Sequence, residues 1–120
     1  MQLCDQRSPI NILLAEDDAD EQYFFEISLK ELSIVTNLKT VSDGVKLIEY
    51  LSQNLDNLPQ VLFLDIIMPR KNGIECLTEI MNNEKLKRIP VIMYSNSVTD
   101  EYIIKSYNYG ALYFLQKGNY

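Results

Sequence analysis

Val61-Leu62-Phe63-Leu64-Asp65-Ile66-Ile67-Met68-Pro69-Arg70-Lys71-Asn72-Gly73 is the stretch whose reading decides the fold. It opens with four apolar residues in a row, too short a run for a helix and too uniformly apolar for a strand with one wet face. Such a run predicts a strand buried on both faces, in a parallel sheet with helices on each side. The run halts at a carboxylate, and Pro69 and Gly73 turn the chain behind it. In open α/β sheets, ligands and chemistry gather beyond the carboxyl ends of the strands, and Asp65 stands at such an end. An Asp also ends strands and begins turns for conformational reasons alone, so Asp65 by itself leaves both readings open.

The flanking segments repeat the pattern. Residues 10–15 form a first strand that runs into Glu16-Asp17-Asp18. From about Ala19 the apolar spacing becomes helical, with Phe25, Leu29 and Leu32 on one stripe. Asp18 and Asp20 suit the positive end of that helix as caps, whereas Glu16 and Asp17 lie nearer the strand end. Residues 37–41 make a short second strand, polar enough for an edge, and Ser42-Asp43-Gly44 turns into a second helix that buries Val45, Leu47, Ile48 and Leu51. Gly73 begins a third helix with Ile74, Leu77, Ile80 and Met81 inward. A fourth strand, residues 91–94, ends in Ser95-Asn96-Ser97. A fourth helix from about Thr99 puts Ile103, Ile104 and Tyr107 on one face and is capped by Gly110. Residues 112–116 are the last strand, ending at Lys117. Strand and helix alternating over short connections specify a doubly wound α/β parallel sheet. The expected organisation is one domain over residues 1–120, with 1–9 as an N-terminal tail.

Composition narrows the chemistry. The 120 residues are 47% hydrophobic and carry a net charge of −6 with no basic block, which disfavours nucleic acid as a partner. No apolar run reaches membrane-spanning length, and the first residues lack the apolar core of a signal peptide, so a cytoplasmic protein is expected. Cys4 and Cys76 follow no pairing or metal-binding spacing and read as free thiols. There is no histidine at all. That excludes a Ser–His or Cys–His nucleophile and an imidazole ligand for zinc. Any chemistry must rest on carboxylates, hydroxyls and lysine.

Those groups stand at successive strand ends: Glu16 and Asp17 after the first, Asp65 after the third, Ser95 after the fourth and Lys117 after the fifth. A parallel sheet brings these ends to one edge. Three carboxylates converging there repel one another, so either some are protonated or a cation sits among them. An all-oxygen set with room for water suits Mg²⁺. An acceptor carboxylate, a metal site, a hydroxyl and a positive charge are also the four parts that phosphoryl transfer to a protein carboxylate requires. Taken singly, Ser95 is a common turn residue and Lys117 a common surface one; their joint order along the strands points to the site.

Ile12-Leu13-Leu14-Ala15-Glu16-Asp17-Asp18, Leu64-Asp65-Ile66-Ile67-Met68-Pro69-Arg70-Lys71-Asn72-Gly73, Pro90-Val91-Ile92-Met93-Tyr94-Ser95 and the segment from Gly110-Ala111 to Lys117 together resemble the receiver domain of bacterial two-component response regulators. The resemblance runs over residues 10 to 117. It implies a flavodoxin-like five-stranded sheet in the order 2-1-3-4-5, with Asp65 as phosphoacceptor. It further implies Mg²⁺ held by Glu16, Asp17, Asp65 and the backbone carbonyl of Ile67. Ser95 would bind a phosphoryl oxygen, and Phe114 would be the aromatic switch that moves with it. The implied donor is a histidine kinase or a phosphotransfer protein, and the signal would pass by altered binding of a downstream protein or by onward relay of phosphate. The chain would be a phosphoacceptor and not a turnover enzyme.

Two positions and one missing element depart from the family pattern. Gly118 stands where a proline usually follows the lysine, so a trans Lys117–Gly118 bond is expected. Asn96 replaces a smaller residue after Ser95, which would narrow access to Asp65. Three residues after Lys117 cannot form the family's fifth helix, so that helix is expected to be absent. The sheet face it would cover is then expected to dock a second copy of the chain or a partner's helix. A rival reading is a receiver-like interaction module that no longer takes phosphate. A phosphatase with a second Asp two residues after its nucleophile is set aside, because Ile67 stands there.

Overall fold

A computed structural model describes residues 9–96 and 99–117. The elements are β1 (Ile10–Ala15), α1 (Ala19–Lys30), β2 (Thr36–Val41), α2 (Gly44–Gln53), β3 (Val61–Leu64), α3 (Gly73–Met81), a short 3₁₀ turn at Leu86–Arg88, β4 (Val91–Ser95), α4 (Asp100–Asn108) and β5 (Tyr113–Gln116). The strands pair in parallel in the order β2-β1-β3-β4-β5. This is the expected flavodoxin-like α/β sheet, carrying four α-helices among the described residues.

Each helix starts where a short polar side chain closes the preceding loop. Asp18 accepts from the backbone N–H of Asp20 and Glu21, Asp43 from Lys46, and Thr99 from Tyr102. Asn72 and Glu75 form a reciprocal capping box at α3. The loop after each strand thus ends by directing a helix back across the sheet.

The helices divide the sheet unequally. α2, α3 and α4 lie over one face, and their apolar residues pack with Leu13, Ala15, Leu62, Leu64 and Met93 in the larger core. α1 lies on the other face, where Phe25 packs with Ile12, Leu14 and Tyr94. The rings of Phe25, Phe63 and Tyr94 meet edge to face, with centroids 4.9 to 6.4 Å apart.

Here the expectation of a strand buried on both sides needs correction. Leu62 and Leu64 are buried, but Val61 and Phe63 are only half-buried. Further along the same face Tyr113 is 55% and Leu115 37% exposed. Among the described residues α1 is the one helix on this face, and one helix cannot span five strands, so the side of β3 facing α1 is only partly covered by them. Two helix readings are corrected as well. Leu32 lies beyond the end of α1 and is 52% exposed. On α4, Ile104 and Tyr107 face outward, and the buried residue is Ser106, whose hydroxyl donates to the Tyr102 carbonyl at 2.7 Å. Cys76 is a buried free thiol, pushed up to about 12 by burial. The tail through Ser8, with Cys4, and also Ser97 and Gly118 with its expected trans bond lie outside the described residues.

Gly73 is required by a close approach. Its N–H donates to the Ile66 carbonyl at 2.8 Å, and a methyl group added here would fall on the Asp65 carbonyl. Gly73→Ala is therefore expected to cost about 1–3 kcal/mol by forcing the loop apart, read as a lower urea midpoint at unchanged slope. An unshifted midpoint would mean that the loop yields without cost.

Candidate functional site

The sheet's own hydrogen bonding continues one residue past the strands. The N–H of Glu16 donates to Val41 at 3.0 Å, that of Asp65 to Ala15 at 3.0 Å, and that of Lys117 to Ser95 at 2.9 Å. These bonds fix three charged side chains at one edge in the register of the sheet. Glu16, Asp17 and Asp65 each offer an oxygen within 4.8 Å of the others. Glu16 and Asp65 are buried and Asp17 is exposed.

Lys117 is buried between the first two. Its ammonium lies 3.1 Å from Asp65 Oδ2, forms an ion pair with Glu16 Oε1, and sits 5.4 Å from the centre of the Tyr94 ring. Glu16 Oε2 accepts from the Asp18 N–H at 3.0 Å, and Asp65 Oδ1 faces the Ile67 N–H at 3.4 Å. Gln22 Nε2 donates to the Glu16 carbonyl at 2.6 Å, tying α1 to the strand end.

The electrostatics follow from burial. Desolvation pushes the Glu16 carboxyl up to about 7, against the pull of its bonds to Lys117 and Asp18. Desolvation also raises Asp65, opposed by Lys117. Burial alone would lower Lys117, but its bond to Glu16 and the charges of Asp65 and Glu16 outweigh that and raise it. Lys117 therefore stays charged, and the two buried acids compete for it.

A cleft of about 290 Å³ opens over these groups, lined by Glu16, Asp17, Asp65, Ile67, Ser95 and Asn96. The donors are all oxygens, more negative than one lysine balances, and one carboxylate already faces solvent. That set fits a hard divalent cation that keeps several waters. Glu16, Asp17, Asp65, Ile67, Ser95 and Lys117 are thus brought together as expected. Asn96 borders the cleft without closing it.

Phe114 is not in the cleft. It pairs with Met93 and packs half-buried against the larger core. Tyr94 was not anticipated as part of the site. Its only signal in sequence is that it precedes Ser95 in a strand one of whose faces must meet α1.

A family model of the response regulator receiver domain matches residues 12–119. The chain belongs to that family, and so to the proteins of two-component signalling. Response regulator Rcp1 of Synechocystis sp. is 35% identical over 103 residues, 82% of this chain and 70% of Rcp1. The crystal structure of Rcp1 in its Mn²⁺-bound form superposes with a TM-score of 0.86 at 32% identity, covering 93% of this chain and 84% of that one. The phosphorylated cyanobacterial phytochrome response regulator RcpA gives the same TM-score at 30% identity, covering 93% and 83%. Among the described residues, no helix is long and apolar enough to cross a membrane.

Proposed function

We propose that the chain takes a phosphoryl group on Asp65 from the phosphohistidine of a histidine kinase or phosphotransfer protein. Mg²⁺ would be held by Glu16, Asp17, Asp65 and the Ile67 carbonyl. The observation that carries this reading is a buried Asp65 within 3.1 Å of a buried lysine, in a cleft that four further carboxylates and a serine also line. The Mn²⁺-bound and phosphorylated forms of Rcp1 and RcpA support it by similarity.

An Asp65 carboxylate oxygen attacks phosphorus, the P–N bond to the imidazole breaks, and its electron pair leaves with the donor. When bound, the cation neutralises charge on the transferred oxygens. Lys117 is held beside the attacked position and offers a second positive charge there. Ser95 can donate a hydrogen bond to a phosphoryl oxygen from the end of β4. With a phosphoryl group on Asp65, Lys117 gains a new acceptor and is drawn from Glu16. Phe114, one strand over from β4, carries the change toward α4 and β5 as the switch. The chain acts as a phosphoacceptor in the cytoplasm and not as a turnover enzyme, passing its signal to a downstream protein or relaying phosphate onward.

Incubation with acetyl phosphate tests this directly: Mg²⁺ should give one added phosphoryl group by intact mass, and chelation should prevent it. A chain that binds partners but never gains phosphate would establish the rival interaction module. Ser95→Ala should leave folding nearly unchanged and weaken the coupling of phosphorylation to partner binding, since its hydroxyl acts only once a phosphoryl oxygen is present. Equal partner affinity of phosphorylated wild type and variant would remove Ser95 from this role.

The partly open face beside Phe63, Tyr113 and Leu115 supports a homodimer as one further partner arrangement. Light scattering over a dilution series should then show mass rising with concentration. A monomer at every concentration contradicts it.

A further inference from the structure

The loop after Asp65 contains the one non-glycine residue with positive φ among the described residues, Arg70 at 69°. An L-residue is disfavoured there, because its Cβ crowds the following carbonyl. Nothing in Met68-Pro69-Arg70-Lys71 supplies the glycine or asparagine that usually occupies such a turn. Something outside the loop must hold it.

Asp43 is placed to do so. Its Oδ1 accepts from the Lys46 N–H at 2.8 Å as the cap of α2, and its Oδ2 lies 3.3 Å from Arg70 Nη1. The Asp43 side chain is only 9% exposed and the Arg70 side chain 54%, so a buried carboxylate at the start of α2 is met by a guanidinium reaching in from the solvent side. The backbones also meet here. A methyl group on Gly44 would fall on the Lys71 carbonyl, so the start of α2 rests directly on the loop. Cys76 Sγ reaches the Gly44 carbonyl at 3.5 Å from the α3 side. At its other end the loop is pinned by the Gly73–Ile66 bond, and between these points Ile67 borders the acidic cleft.

We propose that Asp43 and Arg70 form a positioning clasp that holds the left-handed turn after Asp65, and through it keeps the Ile67 backbone set for a divalent cation. Neither residue touches the cation. The inference rests on the reading of the cleft as a Mg²⁺ site with the Ile67 carbonyl among its ligands.

Mg²⁺ alone is the probe, titrated by calorimetry into the full chain, with the Ile67 amide resonance as a second readout and a thermal melt to confirm folding of each variant. Asp43→Asn keeps the helix cap but loses the charge. Arg70→Ala loses the pair and keeps the left-handed penalty, whereas Arg70→Gly loses the pair and the penalty together. Converting that penalty to an affinity ratio, Asp43→Asn and Arg70→Ala should each weaken Mg²⁺ about fivefold, with Arg70→Gly within about twofold of wild type. A Mg²⁺ affinity that changes across the variants while the thermal midpoint stays level is what a role in general stability would not produce. Mg²⁺ affinities of Asp43→Asn and Arg70→Ala equal to wild type overturn the clasp. So does Arg70→Gly falling as far as Arg70→Ala. A wild type that binds no Mg²⁺ overturns the metal-site reading, and the clasp falls with it.

Discussion

Lys117→Met is expected to destabilise the metal-free protein by about 3 kcal/mol near pH 7.5, the size of effect seen when one partner of a buried ion pair is removed. Lys117 is the cation between Glu16 and Asp65, which are both buried, and without it two desolvated carboxylates face each other. The deficit should depend on pH with a definite sign. The Glu16 carboxyl is raised in the folded state from 4.5 to about 7, so the native protein holds a proton that the unfolded chain releases over that interval. Its contribution to stability is full below the unfolded value and is lost as pH rises through the folded one. Removing Lys117 extends this window upward. The variant's deficit should therefore be smaller near pH 5, where Glu16 is protonated in both and Asp65 alone has lost its partner, and grow above about pH 7. Saturating Mg²⁺ should restore much of the loss, because a cation again stands among the carboxylates. Urea midpoints at the two pH values, with and without Mg²⁺, measure all of this. A deficit equal at both pH values and indifferent to Mg²⁺ would mean that Lys117 acts by packing its methylene stem and not by its charge.

The site was more legible in sequence than the packing around it. Glu16, Asp65, Ser95 and Lys117 could be found because a parallel sheet converts position at a strand end into position at one edge. The chain states strand ends clearly, through apolar runs that stop at polar residues. What it does not state is which face of the sheet each helix covers. The apolar run of β3 therefore read as fully buried, although Val61 and Phe63 depend on a face that α1 covers only in part. On α4 the apolar spacing pointed to Ile104 and Tyr107, but the helix turns Ser106 inward, where a hydroxyl bonded within its own helix satisfies itself. The turn at Arg70 and its pairing with Asp43 were illegible for another reason. A left-handed arginine leaves no mark in composition, and its partner lies 27 residues earlier in the chain.

Asp65→Asn should abolish phosphoryl uptake while leaving a folded protein. The amide matches the carboxylate in shape but has no anionic oxygen to attack phosphorus, and its loss removes one buried charge from a cluster that repels itself. Glu16 and Asp17 remain as carboxylates in the variant, so any phosphate they could accept would still be seen. Treatment of the phosphorylated wild type with hydroxylamine, which converts an acyl phosphate to a hydroxamate, followed by peptide mass spectrometry, identifies the accepting residue. One hydroxamate is expected, on Asp65 in the peptide containing residues 61–73, formed only with Mg²⁺ and absent from Asp65→Asn. A hydroxamate on Glu16 or Asp17, or phosphate retained in Asp65→Asn, would contradict that assignment.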